Sequence, residues 1–220
     1  MAGRTMTSGM TRGTTFGMTE AIIFDFGSVL AVPADGAAWE AHRDAMAGAL
    51  GFASGAAMWS HIFEGPAWEL AKTGRLTDEA FWRQMLAPYG LDTLAARRAW
   101  VERLGGPLGE VHPRMRELLA RLKGRYKLAL LSNATDDLAR ALRKTHRLDG
   151  AFDVTVISAL VGVAKPDAEI YRITLERLGL PAAQTLFIDD QSRNTQAAEA
   201  LGIPSIVFPG VEALWTALIG

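Results

Sequence analysis

Three short apolar segments that each end in polar side chains constrain the fold of this chain more than any other feature. They are residues 21–24 before Asp25, residues 128–131 before Ser132 and Asn133, and residues 186–188 before Asp189 and Asp190. In an open parallel sheet the carboxyl ends of the strands face one crevice, which is where such folds bind ligands. The sequence therefore predicts that polar groups more than 160 residues apart in the chain meet at one site.

The part of the chain from Arg114 onward alternates between helical and strand patterns, as a parallel sheet requires. Met115, Leu118, Leu119 and Leu122 recur at helical spacing. Beyond them we predict strands at 127–131, 152–157, 184–188 and 205–208, and helices at 136–144, 166–178 and 195–201. With the strand before Asp25, this predicts an α/β fold with a Rossmann-like core of five parallel strands.

Residues 33–107 have a different character, because they contain no strand-like run. Helical stretches are predicted at 37–50, 56–63, 66–73, 78–87 and 91–103, and Gly105-Gly106-Pro107 is predicted to be a flexible return. Five of the six Trp residues lie here, at positions 39, 59, 68, 82 and 100. They indicate either an aromatic-lined substrate pocket or a small helical bundle that uses large rings for burial.

The predicted domain organisation is a mobile arm at 1–18, a core formed by 19–32 and 108–220, and a helical insertion at 33–107. The arm could also be an addition ahead of the natural start, with Met18 close to the true beginning. A formal net charge of -1 gives no reason to expect a nucleic-acid or membrane surface. The absence of Cys suits a cytoplasmic protein.

Two further motifs complete the set of polar groups. Residues 162–167 place Lys165 just before a Pro that can open a helix, and Asn194 follows the Asp189-Asp190 pair. Each motif alone has an ordinary reading as a helix start, cap or turn. Together, in this order and spacing, they resemble the four motifs of the haloacid dehalogenase (HAD) superfamily, and the resemblance covers nearly the whole chain from Thr19.

This resemblance implies a role for each motif residue. Asp25 would be the nucleophile that forms an aspartyl-phosphate, and Lys165 would neutralise the charge of nucleophile and phosphate; these are the expected catalytic residues. Ser132 and Asn133, with Lys165, would bind the phosphoryl group. Mg²⁺ would be held by Asp25, the carbonyl of Gly27, Asp189 and Asp190, with Asn194 in support. The resemblance also implies the strand order 5-4-1-2-3 and a small helical C1 cap that selects the substrate.

The chemistry of phosphoryl transfer calls for residues of these types. A carboxylate that attacks a phosphate dianion is repelled by it, so positive charge must be positioned beside both. Mg²⁺ favours oxygen ligands of the kind that the Asp residues provide. In the cap, Trp39 is the nearest Trp to Asp25 in sequence, and Trp39 and His42 are the candidate substrate contacts.

One position departs from the pattern of most phosphatases of the superfamily, which carry a second Asp two residues after the nucleophile. Here that residue is Gly27, which cannot transfer a proton. The superfamily includes an Asp-x-Gly branch, so Gly27 does not by itself imply inactivity. His42 or Asp35 could supply the acid from the cap side.

Three functional hypotheses follow. The first is an Mg²⁺-dependent phosphatase of a small phosphorylated metabolite, acting as a monomer or homodimer. The second is a haloacid dehalogenase, whose leaving halide needs no proton; the Asp189-Asp190 pair argues against it. The third is a catalytically idle HAD fold that binds a ligand or a protein, which the intact Asp25, Lys165 and Asp190 oppose.

Overall fold

The computed structural model describes residues 17–103 and 110–220. Its sheet has five strands, β1 (Ala21–Phe24), β2 (Lys127–Ser132), β3 (Val154–Ile157), β4 (Thr185–Asp189) and β5 (Ser205–Val207). All neighbouring strands are parallel and their order is β3-β2-β1-β4-β5. This confirms the predicted α/β fold and strand order, with Asp25 directly after the central strand.

The helical insertion between β1 and the rest of the sheet is formed by α1 to α5. These helices are α1 (Gly36–Ala49), α2 (Gly55–Phe63), α3 (Pro66–Ala71), α4 (Asp78–Leu86) and α5 (Leu94–Arg103). Asp35, Ser54 and Thr77 cap α1, α2 and α4 by accepting a hydrogen bond from a backbone N–H of the first turn. The insertion buries its own apolar cluster, which includes Met58, Phe81 and Trp100.

Six further helices cover the two faces of the sheet or connect its strands. They are α6 (Pro113–Leu122), α7 (Leu138–Lys144), α8 (Ser158–Val161), α9 (Ala168–Leu178), α10 (Ser192–Glu199) and α11 (Val211–Leu218). Because successive side chains of a strand point to opposite faces, Ile22 and Phe24 join one apolar cluster while Ala21 and Ile23 join the other. A strand covered on both faces explains why β1 is apolar throughout.

Two helices differ from the sequence prediction. The single-turn helix α8 was not predicted, because four residues that end at Gly162 are too few to show a period. Helix α11 was also missed, although Leu214 is fully buried against the core. No helix in the described ranges is both long and apolar enough to cross a membrane.

The predicted arm and flexible return fall largely or wholly outside the described residues. Residues 1–16 and 104–109 are not described, and the arm was predicted at 1–18 and the return at 105–107. The boundaries of the predicted domains stay a prediction.

The N-terminal end of α4 docks the insertion onto the core. The backbone N–H of Asp78 donates to Asp136 Oδ1 at 2.9 Å, and the Thr135 hydroxyl donates to Asp78 Oδ1 at 2.7 Å. Just before α4, Gly74 lies so close to the core that an added Cβ would stand 2.2 Å from the carbonyl oxygen of Ala159. These contacts fix the insertion beside the loop that follows β2.

We predict that Gly74→Ala destabilises the protein much more than Gly90→Ala. Both glycines have a left-handed backbone, with φ of +73° and +76°, so each substitution carries a similar conformational cost of about 1–2 kcal/mol. Only Gly74 faces a backbone clash, whereas nothing lies within 4 Å of a Cβ at Gly90. Thermal unfolding of the two variants measures the difference, and equal losses would show that the docking contact is not tight.

Candidate active site

Asp25 lies at the carboxyl end of β1 and is almost completely buried. The residue is only 7% exposed, and its backbone N–H donates to the carbonyl of Ile188 at 2.9 Å. This bond continues the pairing of β1 with β4 by one step. The carboxylate is therefore held at a fixed position in the crevice at the sheet edge.

Lys165 is the buried counterion of this carboxylate. Its ammonium lies 2.8 Å from Asp25 Oδ1, 2.6 Å from Asp189 Oδ2 and 2.9 Å from the carbonyl oxygen of Leu131. An ammonium has three N–H groups, so all of its donors are used. Lys165 is 2% exposed, and a charge at that depth needs such partners.

Asn133 holds the loop that carries Lys165. Its Oδ1 accepts from the backbone N–H of Lys165 at 2.8 Å, and its Nδ2 donates to the Lys165 carbonyl at 2.9 Å. Ser132, which precedes Asn133 in the chain and is the last residue of β2, is also buried. The structure thus gives Asn133 a positioning role that sequence reasoning missed. The predicted binding of a phosphoryl group by Ser132 and Asn133 stays a prediction.

Asp189 is fully buried and both of its oxygens have partners. Oδ2 accepts from Lys165, while Oδ1 accepts from the Gln191 backbone N–H at 2.8 Å and from Asn194 Nδ2 at 2.9 Å. The Tyr171 hydroxyl in turn donates to the Asn194 carbonyl at 2.9 Å. Asp189 is therefore committed to holding Lys165, and Asn194 contacts its other oxygen; the predicted role of Asn194 in supporting a metal-binding loop stays a prediction.

Asp190 is the half-buried member of the acidic pair. Oxygens of Asp25, Asp189 and Asp190 lie within 4.8 Å of one another. In the described residues these three carboxylates have one ammonium in contact, that of Lys165, so negative charge is in excess at this point. In addition, the buried Oδ1 of Asn194 has no hydrogen-bond partner in the described part of the chain. A divalent cation with oxygen ligands fits both the charge and the donor set.

The electrostatics of the site reflect this crowding. Burial, opposed by Lys165 and assisted by Asp189, raises the pKa of Asp25 to about 6. Burial and the neighbouring Asp189 also raise the pKa of Asp190. Burial alone would lower the pKa of Lys165, but the carboxylates of Asp25 and Asp189 outweigh it and raise that pKa. Lys165 is thus held in the charged form.

Gly27 lies beside the nucleophile candidate in an open position. A Cβ built on it has no atom within 4 Å, and its φ is outside the left-handed region. The strained residue is the next one, Ser28, with φ of 57°. Neither space nor backbone angle therefore requires glycine at position 27.

Trp39 and His42 lie on α1, where their ring centroids are 6.2 Å apart. Trp39 is half-buried and His42 is exposed. Their predicted contact with a substrate stays a prediction.

Several contributors to the site were not singled out from the sequence. The Leu131 carbonyl and the Gln191 N–H are backbone groups, which carry no signal in a residue pattern. Tyr171 did carry one, because it stands one position after Ile170 on the inward face of the predicted helix at 166–178. A polar tip on a buried face usually finds a hydrogen-bond partner.

The comparisons with known proteins agree with this geometry. The family of haloacid dehalogenase-like hydrolases matches residues 19–202, so the chain belongs to this family of hydrolases. The sesquiterpene phosphatase astK of Aspergillus oryzae is 29% identical over 143 residues, which are 64% of this chain and 72% of astK. The (S)-2-haloacid dehalogenase 4A of Burkholderia cepacia is 29% identical over 135 residues, which are 60% of this chain and 57% of the dehalogenase.

Among solved structures, a HAD family enzyme of Bacteroides thetaiotaomicron in complex with magnesium and inorganic phosphate has the same fold. It superposes with a TM-score of 0.71 at 21% sequence identity, covering 92% of this chain and 100% of that one. At this identity the likeness shows the fold alone.

We predict that substitutions of Asp189 and of Asp190 have different effects. Asp190→Ala should weaken Mg²⁺ binding with little loss of stability, because the side chain is half-buried. Asp189→Ala should lower the free energy of unfolding by about 3–5 kcal/mol, since it breaks a buried ion pair. Calorimetric Mg²⁺ titration and denaturant unfolding measure the two effects. Similar profiles for both variants would contradict the different roles assigned here.

Proposed function

We propose that this hydrolase cleaves small phosphate monoesters through an aspartyl-phosphate on Asp25, with Mg²⁺ as cofactor. One observation carries the proposal, namely that three clustered carboxylates share one buried ammonium in contact among the described residues, so that negative charge is in excess. A site with excess negative charge suits a divalent cation, and a nucleophile beside that cation can approach a phosphate dianion. The family membership and the phosphatases among the curated relatives, astK included, support the same chemistry.

In the first step of the proposed reaction, a carboxylate oxygen of Asp25 forms a bond to phosphorus while the bond from phosphorus to the ester oxygen breaks. Lys165 holds Oδ1 of Asp25 at 2.8 Å, which leaves Oδ2 as the attacking atom. The departing alkoxide takes a proton from water. In the second step, water attacks phosphorus, the bond from phosphorus to the Asp25 oxygen breaks, and inorganic phosphate leaves with the Asp25 carboxylate restored. The proton that the attacking water gives up neutralises the hydroxide left by the first step.

The cation would be held by Asp25, the Gly27 carbonyl and Asp190, with Asp189 next to them. When bound, Mg²⁺ supplies positive charge beside the phosphoryl oxygens. Ser132 and Asn133 would meet those oxygens from the carboxyl end of β2. The N–H groups and hydroxyl of this segment are the kind of donors that stabilise charge in a transition state.

Haloacid dehalogenation is the competing activity, because one curated relative is a dehalogenase. The acidic cluster favours the phosphatase, since a halide can leave without metal or proton. A cytoplasmic location and a monomeric or homodimeric state remain predictions.

Asp25→Asn tests the proposal. It should abolish phosphate release from a panel of phosphate esters with Mg²⁺, because the amide cannot act as the nucleophile. Rapid acid quench of the wild type should leave one phosphoryl group on the peptide that contains Asp25. Asp149→Asn, at an exposed position, is the matched control and should keep full activity.

Unfolding should not account for the loss of activity in the Asp25→Asn variant. The folded pKa of about 6 lies above the ordinary value of 3.8 for Asp, so ionisation of Asp25 costs stability progressively as the pH rises from about 4 to 6. Above that range, without Mg²⁺, the Asn variant should melt no lower than the wild type. Phosphate release by Asp25→Asn, or activity in excess EDTA with halide release from 2-chloropropionate, would refute the proposed function.

Gly27→Asp should speed the hydrolysis of alkyl phosphates, whose alkoxides leave poorly without a proton donor. General acid catalysis is typically worth about 10²–10⁴-fold, and the open position accepts a side chain. Aryl phosphates should gain little, so a plot of log rate against leaving-group pKa should become flatter. Gly27→Asn, with the same shape and no acidic proton, is the control. A shallow plot in the wild type would show that another acid already serves the leaving group.

A further inference from the structure

The loop that follows Asp25, residues 26–31, is closed and largely buried. The carbonyl of Phe26 accepts from the backbone N–H groups four and five residues further on, at 3.0 and 2.9 Å. Gly27 is half-buried and Ser28 is exposed, whereas the other residues of the loop are buried. A molecule that approaches Asp25 from solvent along this loop therefore meets Gly27 and Ser28.

Ser28 is held in an unfavourable backbone conformation. Its φ of 57° lies in the left-handed region, and among the described residues other than glycine only Arg147 shares that region, with φ of 49°. A residue with a Cβ pays a steric cost there that glycine avoids. No group in the described part of the protein hydrogen-bonds the Ser28 hydroxyl, so no such bond offsets the cost. Strained residues of this kind cluster at functional sites.

The proposed reaction places the leaving oxygen on the solvent side of the site, where Ser28 lies. In phosphoryl transfer the attacking and leaving oxygens lie roughly in line through phosphorus. Because Asp25 is buried at the floor of the crevice, an in-line leaving oxygen points away from that floor and toward solvent. Nothing lies within 4 Å of a Cβ built on Gly27, so the space beside Ser28 is open to a leaving group.

We propose that Ser28 is a catalytic residue whose hydroxyl donates a hydrogen bond to the leaving-group oxygen. The inference rests on the proposed phosphatase function. Negative charge develops on the ester oxygen as its bond to phosphorus breaks, and a positioned hydroxyl stabilises that charge. Ser28 keeps its own proton, and the departing alkoxide takes its proton from water. The Cα atoms of Gly27 and Ser28 are about 3.8 Å apart, so the hydroxyl acts next to the position at which the acid is missing.

Ser28→Ala tests the inference, because it removes the hydroxyl and keeps the Cβ. We expect kcat/KM for ethyl phosphate to fall about 10- to 100-fold, as for the loss of a hydrogen bond to a charged group. The rate on p-nitrophenyl phosphate should change much less, because its aromatic ring already takes up the charge. The affinity for Mg²⁺, measured by calorimetry, should be unchanged, since the Gly27 carbonyl is not altered.

Ser28→Gly separates the catalytic role from a structural one. It should lose rate on ethyl phosphate as Ser28→Ala does, while its melting temperature rises by about 1–4 °C because glycine suits the left-handed backbone. Arg147→Gly is the matched control, since Arg147 is exposed and has a similar backbone angle. This variant should gain similar stability and keep the wild-type rates on both esters.

The outcomes separate the inference from the function on which it rests. A selective loss on ethyl phosphate with unchanged Mg²⁺ affinity supports the inference. Equal losses on both esters, no loss, or a loss that follows weaker Mg²⁺ binding overturns the inference and leaves the phosphatase function standing. A lower melting temperature of Ser28→Gly also overturns it, because Ser28 would then stabilise the loop. No phosphate release by the wild type from any ester overturns both.

Discussion

The buried ammonium of Lys165 is the interaction on which the rest of the site depends. A charge at this depth is tolerated only with close partners, and Lys165 has three, namely Asp25, Asp189 and the Leu131 carbonyl. These partners lie at the carboxyl ends of three adjacent strands, with Asp25 just after β1, Asp189 at the end of β4 and Leu131 next to last in β2. One ammonium therefore links the carboxyl ends of β1, β2 and β4. The same contacts hold Asp25, the candidate nucleophile, in position.

Strand register explains why those partners meet. Phe24 is paired with Leu130 on one side and with Ile188 on the other. One residue further along each strand, Asp25 is level with Leu131 and Asp189, and these are the groups that Lys165 contacts. A shift of one residue in either pairing would turn a polar side chain into the apolar layer, so burial of the strands and assembly of the site specify the same register.

The sequence predicted the fold well because the three central strands β1, β2 and β4 are largely buried apolar runs, and three of the four polar motifs come at the ends of these strands. The convergence of Asp25, Lys165, Asp189 and Asp190 followed from the parallel topology. The sequence alone could not distinguish the roles of the two adjacent Asp residues. Asp189 and Asp190 are adjacent and chemically identical, and only the contacts with Lys165, Gln191 and Asn194 show that Asp189 is committed. The short helix α8 and the backbone groups of the site have no pattern to detect.

The docking of α4 links the helical insertion to the loop that follows β2. The Thr135 hydroxyl donates to Asp78 Oδ1, and Thr135 is in the loop that begins with Asn133. Asn133 in turn holds the segment of Lys165 through two hydrogen bonds to its backbone. The insertion and the segment that carries the buried ammonium therefore restrain the same loop, and the position of the residues proposed to bind the phosphoryl group depends on both.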